Sequence, residues 1–209
     1  MKVQSVVRFA FAAAFVVGAQ AQAQLATFDD LASCTPSNTG GIAIVNGYSG
    51  FNWSNFLVAD GPNTAGATGG PGYANGTVTQ RCIALNGFGA ASEISLGSDF
   101  TFNGGFFTAA FTNNLAVAIT AFNAGNAQIF SSNLNLNTAG PQLLNVNWAG
   151  VRRVRFASGD GQPGSQFVFD NFRFNNTPDP RIVPEPSTYA LLATGLAGLA
   201  VAARRRRRV

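Results

Sequence analysis

Val151-Arg152-Arg153-Val154-Arg155-Phe156 is the stretch whose pattern decides the fold class. Successive side chains on a β-strand point to opposite faces. Val154 and Phe156 are therefore expected to face inward, and Arg153 and Arg155 to face solvent. Similar short apolar runs recur on both sides of it: Ala26–Leu31, Gly50–Val58, Thr77–Leu85, Asp99–Asn103, Phe106–Thr112, Leu115–Phe122, Ala127–Leu134, Gln142–Val146 and Ser165–Phe174. They are spaced about 8–12 residues apart and broken by Asn-Gly and Gly-Gly, the pattern of an all-β sandwich. No stretch of the body sustains a 3.6-residue period. Asp60–Gly72 (DGPNTAGATGGPG) reads as a Gly/Pro-rich loop, and Asn175–Pro180 as linker. The expected organisation is a signal peptide over residues 1–23, a β-sandwich domain over 24–174, a linker over 175–182 and a C-terminal segment over 183–209.

The chain has 209 residues and a formal net charge of +4, which suggests a basic, nucleic-acid-binding protein. Sorting the charges by segment removes that impression. Lys2 and Arg8 carry +2 at the N-terminal end, and Glu185 with Arg204 to Arg208 carries +4 at the other. The six arginines and eight acids between Gln24 and Val183 leave the body at −2. Nothing in that charge calls for DNA or RNA as a partner.

Residues 1–23 have the three parts of an export signal. Lys2 and Arg8 are followed by the apolar run Phe9–Ala19 and by the small-x-small sites Ala19-Gln20-Ala21 and Ala21-Gln22-Ala23. At the other end, Val183-Pro184-Glu185-Pro186-Ser187 must be extended, because two prolines around one Glu suit neither a helix nor a central strand. The uncharged stretch Thr188–Ala203 follows. As a helix it is about 24 Å long, against about 30 Å for a hydrocarbon core. Arg204, Arg205, Arg206, Arg207 and Arg208 can snorkel to the headgroups and are expected to stay in the cytoplasm. One C-terminal transmembrane helix is expected, with the body on the far side.

The Val183–Ser187 motif, Ala190-Leu191-Leu192, Gly195-Leu196, Gly198-Leu199 and the arginine cluster together resemble the PEP-CTERM sorting domain. The resemblance implies recognition by an exosortase, cleavage near Pro184-Glu185-Pro186, and release or transfer of the body to the cell surface or matrix. It also implies a Gram-negative host that makes exopolysaccharide. Signal peptidase is the partner implied at the N-terminal end. Thr27-Phe28-Asp29-Asp30-Leu31, Asn46–Trp53 and Phe169-Asp170-Asn171-Phe172 resemble a group of small exported β-sandwich proteins. In that group the first and last strands lie together, in a jelly roll similar to galactose-binding-like carbohydrate modules.

Cys34 and Cys82 are the only cysteines and enter an oxidising compartment, so one disulfide is expected. The chain has no His, and its only Lys is Lys2. That removes Ser-His-Asp, Cys-His and Schiff-base chemistry, and with two cysteines it disfavours a usual zinc site. Gly87-Phe88-Gly89 reads as a turn and not as a phosphate loop. No catalytic residue and no obligatory cofactor is assigned. Asp29 or Asp30 with Asp170 is the candidate Ca²⁺ set, since a hard cation prefers carboxylate oxygen; bonds to loop amides and to Arg173 are the other reading. Tyr48, Trp53, Tyr73 and Trp148 are the candidate carbohydrate contacts, because an aromatic face suits the C–H face of a sugar. Two functions compete. One is a non-catalytic surface or matrix protein that binds polysaccharide. The other is an extracellular glycoside hydrolase acting through paired carboxylates.

Overall fold

A computed structural model describes residues 24–159 and 161–175. The expected signal peptide, residues 176–182 of the linker, and the sorting segment with its transmembrane helix lie outside the described residues. Among the described residues no helix is long and apolar enough to cross a membrane.

Ten strands form one antiparallel sheet: β1 (Gln24–Ala26), β2 (Ile42–Ala43), β3 (Asn52–Ser54), β4 (Phe56–Asp60), β5 (Cys82–Asn86), β6 (Ser92–Ala109), β7 (Leu115–Phe122), β8 (Gln128–Leu136), β9 (Gln142–Ala157) and β10 (Phe167–Phe174). Their order is β2-β4-β5-β10-β6-β9-β7-β8, with β1 on β10 and β3 on β6. The first and last strands of the body do lie together, Gln24 opposite Phe174.

β6 and β9 make this sheet sandwich-like. Asp99–Asn103 and Phe106–Thr112, like Gln142–Val146 and Val151–Phe156, were expected as separate strands, yet β6 and β9 are each continuous, at 18 and 16 residues. The glycines bend the strands and do not end them. Gly104 has φ +107, and a Cβ there would lie 1.9 Å from the Leu144 carbonyl oxygen, so no other residue fits this close approach of β9. Register shifts between Ser95 and Gly104 accompany the bend. The first residues of β6 pair with β3 and with the end of β9, while its last residues pair with β10 and the start of β9. Both long strands thus belong to both layers, and the sheet closes over its own apolar face.

Phenylalanine fills the space between the layers. Phe56 on β4 and Phe169 on β10 meet Phe156 on β9, each with ring centroids 5.6 Å apart. Within β9, Val151, Val154 and Phe156 are fully buried and Arg155 is exposed. Arg153 lies over the Phe122 ring at 3.9 Å and pairs with Glu93 at 2.6 Å. The alternation is as expected from Arg153 onward.

Two local readings are corrected. The run Asp60–Gly72 is not a plain loop. It holds α1 (Gly61–Thr68) and the start of α2 (Pro71–Asn75). Asp60 caps α1 by accepting from Asn63 N at 2.9 Å, Pro occupies the first turn of each helix, and Gly69 closes α1 with φ 76. The Pro and Gly taken as loop formers stand where helices tolerate them. The second correction is at Ala26–Leu31, where the strand stops at Ala26. Phe28 turns to φ 66 and places its ring in the core.

Cys34 and Cys82 form the expected disulfide, with Cα atoms 6.1 Å apart. It ties the irregular segment between β1 and β2 to the start of β5.

Candidate functional site

The four aromatic side chains singled out as sugar contacts do not assemble into one platform. Trp53 is buried at 6% exposure, with its Nε1 donating to Tyr48 O at 3.0 Å and its ring against Phe28, Phe56 and Phe172. Tyr73, on α2, is buried, and its hydroxyl donates to Gln166 Oε1 at 2.8 Å; burial raises its phenol pKa. Tyr48 is half-buried in a short 3₁₀ turn. Its hydroxyl donates to Asp30 Oδ1 at 2.8 Å and accepts from Phe28 N at 2.9 Å. Burial, and then the bond to Asp30, holds its pKa above the usual phenol range. Each of these polar tips has an internal partner, which is how large amphipathic rings enter a core.

Trp148 differs. It sits on the half of β9 that pairs with β6 alone, opposite Phe102, at one open edge of the sandwich. β8 is the outermost strand of the other layer at that edge, and its Phe130 stacks on Trp148 with centroids 5.5 Å apart and planes 7° apart. Phe130 is 36% exposed. Trp148 itself is buried at 9% exposure, so the aromatic surface that reaches solvent at this edge is that of Phe130, backed by Trp148. Phe130 escaped the sequence reading because it stands in a polar strand, QIFSSNLNL, with no apolar neighbour two positions away to mark its face. Only the approach of β9 reveals its partner.

The acids occupy separate places. Asp29 Oδ1 accepts from the backbone N–H groups of Arg81 and Cys82, at 3.1 and 2.9 Å. Asp170 accepts from the N–H groups of Val78 (2.7 Å), Thr79 (3.1 Å) and Asn171 (2.6 Å). Burial pushes its carboxyl up to about 7, against those donors, and the nearby Asp29 adds to the rise. Asp30 holds Tyr48 instead. The candidate Ca²⁺ set therefore brings Asp29 near Asp170, but most of their oxygens already accept N–H bonds. Asp29 Oδ2 is buried without a partner. Among the described residues no group of three or more metal-ligating side chains assembles. The remaining described acids are ion-paired: Asp60 with Arg81, Asp99 with Arg152, and Glu93 with Arg153.

Residues 183–207 match the family model for the PEP-CTERM protein-sorting motif. The C-terminal segment is a PEP-CTERM sorting motif. It contains Pro184-Glu185-Pro186 and the first four arginines of the cluster. The motif implies an exported protein sorted by an exosortase. The sequence matches no curated protein. Among solved structures, the body is similar to a Streptococcus pneumoniae fucose-binding module, at 10% identity and TM-score 0.33, over 44% of this chain and 70% of that one. It is also similar to an agarase, at 10% identity and TM-score 0.38, over 78% of this chain and 32% of that one. A third is a mutant of the lectin-binding domain of lectinolysin in complex with Lewis b, at 12% identity and TM-score 0.30, over 64% of this chain and 96% of that one. The chain spans only about a third of the agarase.

Proposed function

We propose that the body is a non-catalytic polysaccharide-binding domain, delivered to the cell surface or matrix by its PEP-CTERM motif. The observation that carries this reading is the stacked Trp148–Phe130 pair at the open edge of the sandwich. The partly exposed Phe130 ring, held flat on the buried Trp148, matches the C–H face of a pyranose. It is anchored in the core through Phe102, 5.6 Å from Trp148, so it is presented without further ordering cost. The ion pairs and backbone bonds that occupy the acids support the non-catalytic half of the reading.

The test is affinity electrophoresis of the mature protein in gels containing neutral or acidic polysaccharides, including the exopolysaccharide of its host. Retardation is expected, and Phe130→Ala should weaken binding about tenfold, the worth of one stacking ring. Failure to bind any polymer would overturn the proposal. Release of new reducing ends from a bound polymer would favour the hydrolase.

A further inference from the structure

Phe88 is 74% exposed, and its backbone is left-handed with φ 53. A bulky side chain rarely adopts that conformation. It persists only where the surroundings impose it, and such residues concentrate where ligands are held. Here the imposition is visible. Gly87 N donates to Asn55 O at 2.9 Å, and Asn55 Nδ2 donates back to Gly87 O (3.2 Å) and to Ala91 O (3.1 Å). A Cβ on Gly87 would lie 2.2 Å from Asn55 Oδ1, and one on Gly89 would lie 2.1 Å from Gln162 O. Beneath the turn, Asn86 donates to Ala90 O and Ser158 Oγ and accepts from Phe167 N. The turn is locked, and it holds the ring out in water.

A second exposed apolar side chain stands beside it. β2 pairs Ile42 with Val58 and Ala43 with Leu57, and Ile44 N continues the ladder to Phe56 O. Val45, 66% exposed, therefore falls beside Asn55. On the other flank Phe56 pairs with Asn86, next to the turn. Val45 and the Phe88 turn thus lie about one strand spacing, roughly 4.8 Å, to either side of Asn55. Asn55 is exposed, and its Oδ1 accepts no hydrogen bond among the described residues. None of the three is charged.

We propose that Phe88, Asn55 and Val45 form a second subsite, which takes a neutral sugar ring. The Phe88 ring stacks on the C–H face, Asn55 Oδ1 accepts from a hydroxyl, and Val45 closes the far side. Two apolar side chains around one amide suit a ring of that size and fall far short of the roughly 800 Å² per partner that a stable protein interface buries. The inference rests on the polysaccharide reading above. It adds that one body carries two subsites. Trp148 lies in the middle of β9, whereas the Phe88 turn is held next to Ser158, just past its end. The two together can bridge two chains of a polymer, or grip one chain with higher avidity.

Phe88→Asn tests this, because Asn tolerates the left-handed backbone and lacks the ring; Phe88→Trp restores a ring. The mature proteins are run in affinity gels containing a panel of neutral polysaccharides and the host exopolysaccharide, alongside Phe130→Ala. We expect Phe88→Asn to weaken binding about tenfold with an equal or higher Tm, Phe88→Trp to restore it, and either single loss to abolish precipitation of the polymer. If the parent protein binds a polymer and Phe88→Asn binds it equally well, the subsite is refuted and the general reading stands. If the parent binds no polymer, both fall. A change in oligomeric size with Phe88→Asn, at unchanged affinity, would assign the ring to a second copy of the chain and overturn the proposal.

Discussion

Removing the Cys34–Cys82 bridge with the double substitution Cys34→Ala, Cys82→Ala should lower stability by about 4 kcal/mol at most. The figure follows from a sequence separation of 48 and the loss of loop-closure entropy on uncrosslinking the unfolded chain. The folded state should survive the change. Asp29 still accepts from Arg81 and Cys82 N–H. Asn38 still donates to Ser33 O at 2.9 Å and Val58 O at 2.8 Å, and accepts from Gly41 N at 3.0 Å. These bonds hold the same irregular segment that the disulfide holds. The cost therefore falls mainly on the unfolded side, where the freed chain is larger. Two signatures follow. Tm drops by roughly 8–16 °C, at about 2–4 °C per kcal/mol for a domain of this size. The urea m-value rises, because the uncrosslinked chain exposes more surface. Tryptophan fluorescence suits the assay, since Trp53 and Trp148 are 6% and 9% exposed and both report unfolding. A loss below about 1 kcal/mol with an unchanged m-value would refute the reasoning. The bridge would then constrain nothing that the hydrogen bonds do not already constrain.

Two further outcomes are expected. Asp170, raised to about 7 by burial, keeps a proton in the folded state between about pH 4 and 7 that the unfolded chain has already released. Its contribution to stability is thus fully present below pH 4 and lost as pH rises through 7, with a slope of up to about 1.4 kcal/mol per pH unit. Asp170→Asn should flatten that slope in urea titrations across the window; a parent protein that gains stability relative to the variant as pH rises would contradict it. Replacing Arg204–Arg208 with Gln should weaken retention and sorting at the membrane, and unchanged membrane retention on fractionation would tell against the assigned role of the cluster.

Much of this protein was determined by its sequence alone, through signals that are local. The PEP-CTERM motif needs only the order of a Pro-Glu-Pro segment, an apolar run and arginines. The β class follows from two-residue alternation such as Val154-Arg155-Phe156. The disulfide follows from there being two cysteines and an exported chain. The absence of histidine removes Ser-His-Asp and Cys-His chemistry. Tertiary structure decided what depends on contacts between distant residues. Gly104-Gly105 looks like a break between strands in a one-dimensional reading, and only the pairing of β6 with β9 makes it a bend inside a continuous strand. Trp53 and Trp148 are the same residue type in similarly mixed surroundings. One is enclosed by Phe28, Phe56 and Phe172, and the other reaches an open edge where Phe130, from another strand, covers it. Phe88 reads as one more apolar residue in a Gly-rich turn. It stays in solvent because Asn55, 33 positions earlier, locks that turn open. Burial is a property of the assembled layers, so no local pattern separates a core ring from a presented one.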